Sequence, residues 1–239
     1  MPAVASVSAA SYKASPLAPE MIVAAFGLNL ASGVALAQSA ILPTTLLGIS
    51  IAVIDSAGVV RPAPLFFVSP GQINYLMPAG MPNGNATVTV SNGGNAIASG
   101  TVTIARVAPG IFAANATGQG VPAAVALRVK ADGSLTYENI SQIQGNAIVP
   151  APIGLGPESE QVFLVLFATG ARFNTGLSNV SVDIGGITAP VLYAGAQGSF
   201  VGLDQLNLRL PRTLIGKGLA DLTATVDGQV TNKVQIRIQ

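Results

Sequence analysis

The chain carries one series of apolar segments twice, in the same order. Ala63-Pro64-Leu65-Phe66-Phe67, Gln72-Ile73-Asn74-Tyr75-Leu76-Met77-Pro78 and Ala86-Thr87-Val88-Thr89-Val90 come first. They return as Ala189-Pro190-Val191-Leu192-Tyr193, Gln205-Leu206-Asn207-Leu208-Arg209-Leu210-Pro211 and Leu222-Thr223-Ala224-Thr225-Val226. Upstream, Ile22-Val23-Ala24-Ala25-Phe26 matches Phe163-Leu164-Val165-Leu166-Phe167, and Ile49-Ser50-Ile51-Ala52-Val53 matches Val180-Ser181-Val182-Asp183-Ile184. The interval lies well beyond the roughly 20–50 residues of solenoid and propeller repeats, so each copy reads as a domain with its own core. The expected organisation is a tandem pair, residues 1–107 and 108–239, with Pro109-Gly110-Ile111-Phe112 opening the second copy. No Ser- or Pro-rich linker separates them.

Strand signals dominate both copies. In Thr87-Val88-Thr89-Val90 and Thr101-Val102-Thr103-Ile104 every second side chain is apolar, the pattern of a strand with one buried face. Asn83-Gly84, Asn92-Gly93, Asp132-Gly133 and Asp227-Gly228 supply residues that tolerate positive φ in tight turns. Asn92-Gly93 and Asp227-Gly228 fall at matching places in the two copies. Short strands at this spacing predict an all-β fold of two immunoglobulin-like β-sandwiches related by internal duplication. Gly33–Leu47 and Ile140–Pro157 read as irregular insertions, and Gly216 and Gly218 argue against a helix over Leu214–Leu222.

Only 9% of residues are charged, against about 25% in an ordinary globular protein, and the formal net charge is +1. So sparse a set of ions gives copies little mutual repulsion, which favours assembly. A surface of small residues gives the same composition without sticky patches. The eleven cations are scattered, with no run of them anywhere, so no basic stripe for nucleic acid is present. Met21–Ala37 is uncharged but interrupted by Gly27, Asn29, Ser32 and Gly33, and no transmembrane span is expected. The start lacks a basic segment and a continuous apolar core, so it does not read as a signal peptide; either a processed or excerpted piece of a longer chain or an edited start is expected.

Histidine and cysteine are both absent. That removes Ser-His-Asp and Cys-His catalysis and His- or Cys-based zinc, copper and haem sites. No catalytic, metal or cofactor-binding residue is expected, and no cofactor. Glu158 and Glu160, two apart at a strand entry, read as solvated charges rather than a glycosidase pair. A calcium site assembled from Asp204 or Asp221 lacks any Asp-x-Asp-x-Asp run to support it. Tyr12, Tyr75, Tyr137 and Tyr193 are the candidate sugar platforms, although Tyr75 and Tyr193 sit in core-like strands where packing is the expected role. The sequons at Asn85, Asn115, Asn139 and Asn179 indicate glycosylation only where source and compartment permit it.

The most distinctive polar element is Gln-x-Asn, present as Gln72 with Asn74 and as Gln205 with Asn207. At this spacing both amides face one side of a strand, where they could tie down loop backbone or capture a ligand. Its presence in both copies favours a network that specifies the fold.

Several motifs together resemble a known family. Ser8-Ala9-Ala10-Ser11-Tyr12, Ala18-Pro19 through Phe26-Gly27-Leu28-Asn29-Leu30, and Ala63 through Phe67-Val68-Ser69-Pro70-Gly71-Gln72-Ile73-Asn74 are three of them. Pro109-Gly110-Ile111-Phe112 and Gly202-Leu203-Asp204-Gln205 through Pro211 complete the set. They are similar to an uncharacterised C-terminal domain family of large secreted acidobacterial proteins, and each half resembles an immunoglobulin-like IPT/TIG domain. The resemblance implies two β-sandwiches and carries no catalytic residue. The functional expectation is a non-catalytic extracellular or cell-surface structural protein. It would self-associate or dock into a surface assembly such as a filament, sheath or appendage, with residues up to Pro19 as an exchangeable arm. The alternative is a cell-surface or polysaccharide-binding module of a larger secreted protein.

Overall fold

The computed structural model describes residues 1–239, which form strands, turns and two short 3-10 segments, with no α-helix. The chain divides into two compact units, Met1–Ala108 with Ser199–Gly202, and Pro109–Gly198 with Leu203–Gln239.

The first unit contains β1 (Ala5–Ser8), β2 (Ile22–Phe26), β3 (Ala35–Leu36), β4 (Thr45–Leu46) and β5 (Ile49–Ile54). It continues with β6 (Val60–Ala63), β7 (Leu65–Val68), β8 (Gln72–Leu76), β9 (Gly84–Asn92) and β10 (Asn95–Ile104). One sheet has the order β1-β2-β8-β7-β3 and the other β10-β9-β5-β4, with β6 also on β5. Alternation decides which side chains enter the core. Val23, Ile73 and Tyr75 from one sheet and Ile51, Val53, Val88 and Val90 from the other belong to one buried cluster.

The N-terminal segment touches both sheets of this unit. β1 pairs antiparallel with β2, while Ala3 and Leu17 form parallel bridges to Ser99 and Ile104 of β10. Val4 N–H donates to the Ser99 carbonyl at 3.1 Å, and Leu17 N–H to that of Thr103 at 2.9 Å. The β10 edge is thereby covered along much of its length.

The second unit begins with β11 (Gly110–Ile111), β12 (Ala124–Val129), β13 (Leu135–Asn139), β14 (Ser141–Gln144), β15 (Ala147–Pro150) and β16 (Pro152–Ile153). Then follow β17 (Gln161–Thr169), β18 (Val180–Ile184), β19 (Ile187–Ala189) and β20 (Val191–Ala196). It closes with β21 (Asp204–Arg209), β22 (Gly218–Val226), β23 (Gln229–Val230) and β24 (Val234–Ile238). Its sheets run β13-β12-β17-β21-β20, with β11 on β17, and β16-β24-β22-β18-β19, with β23 on β22. Leu164, Leu166, Leu206 and Leu208 from the first, and Val182, Leu222, Ala224 and Ile236 from the second, are buried.

The matched sequence segments lie on strands in corresponding places. β2-β8-β7 in one unit and β17-β21-β20 in the other hold the same order, as do β10-β9-β5 and β24-β22-β18. The third strand of each trio carries an irregularity at the same point, between Leu65 and Phe67 and between Val191 and Tyr193. The parallel bridge of Leu17 to Ile104 has its counterpart in Ile153 beside Ile238.

The units differ in what precedes that bridge. Residues 9–16 suffice in the first, whereas 127–152 in the second hold the second half of β12, then β13 and the β14–β15 hairpin. The stretch Ile140–Pro157, expected to be irregular, thus contains an ordered hairpin in which Ile143 stands opposite Ile148. The segment after Leu210 makes only a 3-10 turn at Arg212–Leu214 before β22 begins at Gly218.

Candidate interaction surface

The two faces of β21 have opposite characters. Asp204, Leu206 and Leu208 point inward and are buried, so the pleat turns Gln205, Asn207 and Arg209 outward. β17 follows suit, with Val162, Leu164 and Leu166 inside and Phe163, Val165 and Phe167 half-buried on the outer side. The ladder aligns Phe167 with Gln205, Val165 with Asn207 and Phe163 with Arg209. On the far side of β17, Leu127 stands opposite Phe163 and Tyr137, while Val125 stands opposite Val165. The outcome is an apolar, aromatic face crossed by one amide pair and ended by one guanidinium.

Gln205 Nε2 donates to Asn207 Oδ1 at 2.8 Å, and Gln72 Nε2 to Asn74 Oδ1 at the same distance. All four residues are half-buried on the outward faces of their strands. The amide network therefore runs along each strand. In the first unit the ladder sets Phe26 opposite Gln72, and Ala24 and Phe67 opposite Asn74, repeating the pattern of the second.

The tyrosines separate into different roles. Tyr75 is fully buried and its hydroxyl donates to Ser6 Oγ at 3.0 Å; burial pushes the phenol's pKa upward. Tyr193, expected in the core, is 40% exposed and faces outward beside Asn207, because the irregularity after Val191 resets the alternation of β20. Its hydroxyl donates to the Ala196 carbonyl. Tyr137 is 68% exposed on the edge strand β13. Tyr12 stacks on Phe26 with ring centroids 6.4 Å apart.

Beneath this face lie two ionic clusters. Asp204, placed among possible calcium ligands in sequence, is fully buried. Its carboxylate accepts from Arg172 Nε at 2.7 Å and from the N–H groups of Ala171 and Arg172 at 2.7 and 3.2 Å. Burial pushes its pKa up, against the pull of the Arg172 guanidinium and those N–H groups. Glu160 is not the solvated charge expected: Arg128 Nη1 donates to it at 2.9 Å, and the same guanidinium bonds Glu138 and the Gly154 carbonyl. The β12–β17 pairing that sets these residues side by side links segments far apart in sequence, so spacing gave no sign of it.

A pocket of about 350 Å³ opens beside Arg209, lined also by Leu155, Glu158, Glu160, Gln161 and Arg212. Arg212 is committed there to the carbonyls of Leu155, Gly156 and Pro157. No group of three or more acidic side chains converges to hold a metal ion, and no helix is long and apolar enough to cross a membrane.

Asn232 escaped sequence reading altogether. Its Oδ1 accepts from Ile111 N–H, and its Nδ2 donates to the carbonyls of Ile111 and Gly118, each at 2.8 Å. It fixes the short strand β11 to the segment preceding β24.

No protein-family model and no curated protein matches the chain. Among solved structures, domains 5–6 of the S-layer protein SbsC align over 100% of this chain and 98% of theirs, at 10% identity. The TM-score of that superposition is 0.28, too loose to establish a shared fold.

Proposed function

We propose that the protein is a non-catalytic structural subunit of an extracellular or cell-surface assembly, associating with copies of itself or with a host array. The observation that carries this reading is the outward face of the β17-centred sheet. There Leu127, Tyr137, Phe163, Val165 and Phe167 form a continuous apolar stripe on a chain with few ions to keep copies apart. Such a stripe loses free energy when it is covered. The strand orders support two tandem immunoglobulin-like sandwiches related by duplication. β1-β2-β8-β7 against β10-β9-β5 has the connectivity of strands A-B-E-D against G-F-C. Membership of the acidobacterial C-terminal family, and the exported location it implies, belong to the same proposal. Light scattering from low to high micromolar concentration, followed by electron microscopy, tests it. Growth of particle mass with concentration is expected, and a monomer throughout the range sinks the reading.

A second reading, polysaccharide binding, is favoured by one observation: the amide pair and Arg209 lie in register with Phe163 and Phe167, a combination suited to sugar hydroxyls over ring faces. Polysaccharide pull-down that is lost in both Phe163→Ala and Arg209→Ala would favour it over assembly.

A further inference from the structure

Natural sheets rarely leave a long edge strand unguarded, because its outward N–H and C=O groups template pairing with another chain. Most edges in this protein are short, irregular or occupied. β3 and β4 have two residues each, β6 contains Pro62, β15 ends at Pro150, and β20 carries its irregularity near Tyr193. β10 is covered by Val4 and Leu17, and Ser8 at the end of β1 gives its N–H to the Lys13 carbonyl. β13 differs. It is the terminal strand of its sheet, runs five residues, and has no proline, lysine or bulge.

The direction of its backbone groups follows from one hydrogen bond. Lys130 N–H donates to the Ser134 carbonyl at 3.0 Å, which makes these two a hydrogen-bonded pair at the mouth of the β12–β13 hairpin. Antiparallel ladders alternate, so Thr136 and Glu138 turn their N–H and C=O toward β12, while Leu135, Tyr137 and Asn139 turn theirs to the open side.

We propose that β13 pairs antiparallel with β13 of a second copy, about a two-fold axis through Tyr137, joining two sheets into one. This deepens the self-association reading and rests on it. A copy of the same strand fits for three reasons. The two-fold register places Tyr137 opposite itself, Leu135 opposite Asn139 and Thr136 opposite Glu138, so each outward donor meets an acceptor. The strand's one charge, Glu138, is already bonded to Arg128 and faces a neutral threonine, so no like charges are opposed. Leu135 and Tyr137 of both copies then stand on the outer face, extending the stripe of Leu127 and Phe163 across the junction.

The chain has no cysteine, so one can be introduced cleanly. In a hydrogen-bonded antiparallel pair the Cα atoms lie about 5.5 Å apart, within disulfide reach. Tyr137→Cys is expected to give a disulfide-linked dimer under mild oxidation, whereas Leu192→Cys, on the β20 edge, is expected to stay unlinked. Tyr137→Pro removes an N–H that the fold does not use. It is expected to weaken association at least tenfold in sedimentation equilibrium while leaving the unfolding midpoint in place. Association that persists in Tyr137→Pro, with no cross-link in Tyr137→Cys, overturns the β13 pairing but leaves the assembly reading standing. A wild-type chain that is monomeric throughout defeats both, and that includes the outcome in which β13 serves a foreign strand.

Discussion

The carbonyl oxygen of Val4 lies where Gly100 would need room for a side chain: a Cβ on that glycine would stand 2.0 Å from it. Only glycine lets the N-terminal segment cross β10 at this distance, and both bonds of the Ala3–Ser99 bridge depend on that crossing. The N-terminal arm of the sequence reading is therefore seated within its own unit in this structure. Gly100→Ala is expected to push the segment off the edge and to destabilise the first unit by about 2–3 kcal/mol, from overpacking and lost hydrogen bonds. Urea denaturation measures the loss, and limited proteolysis should find a newly cleavable site ahead of β1.

Asn232→Ala should be among the most damaging single changes in the second unit. It strips partners from the buried N–H and C=O of Ile111 and from the Gly118 carbonyl at once. Buried polar groups left unsatisfied cost about 1–3 kcal/mol each, so a loss of about 3 kcal/mol is expected. Asn232→Asp should not rescue, since it cannot donate to the two carbonyls. Hydrogen exchange at Ile111 gives the site-specific readout.

Asp55 makes part of the stability depend on pH. Its Oδ1 accepts from the N–H groups of Ala57 and Val59 at 2.9 Å, and its Oδ2 from Arg61 Nε at 3.0 Å. The Val59 N–H above all, with the Arg61 guanidinium and the Ala57 N–H, holds its carboxyl below the usual carboxylate value. A depressed folded pKa gives stability that is fully present above the unfolded value of about 3.9 and is lost as pH falls through the folded one. Asp55→Asn should therefore lower Tm at pH 7 and flatten the fall in Tm below about pH 4. Equal Tm curves for the two proteins from pH 2 to 7 would show that the turn does not depend on the charge.

The Gln-x-Asn pairs should contribute alike in the two units. Gln72→Ala and Gln205→Ala each remove one half-buried amide bond of 2.8 Å and should each cost about 1 kcal/mol. Lying in different units, the two losses should add in the double variant. Retained thermal stability in both single variants would move the amides from the fold to surface recognition.

Strand positions were legible because one buried face imposes a period of two. Val88 and Val90 announce themselves, and so do Ile73 and Tyr75. The matched segments located corresponding strands without help from structure. Tyr193 misled because one irregular residue in β20 inverts the alternation, and nothing in Val191-Leu192-Tyr193 marks it. Asn232 and Ile111, Arg172 and Asp204, and Arg128 and Glu160 were invisible for another reason. Each pair meets only when distant strands fold together, and local sequence holds no trace of the partner. The candidate surface was half legible: Gln205 and Asn207 were read as facing one side, but which side, and with which aromatic rows, required the ladder.

The longer connection between Ile111 and Ile153 has a further consequence. Residues 127–152 leave one fixed strand and return to another, as residues 9–16 do more briefly in the first unit. Within them Ile140 is fully buried, but residues 141–150 of the hairpin bury no side chain, so the hairpin's length and sequence are largely decoupled from the interior. Mutation can rewrite the β14–β15 hairpin, a two-stranded sheet of its own, without repacking either main sheet, so this surface can drift while the scaffold stays constant. The hairpin turn at Gly145-Asn146 is, by the same logic, the natural place to graft a foreign peptide or a label.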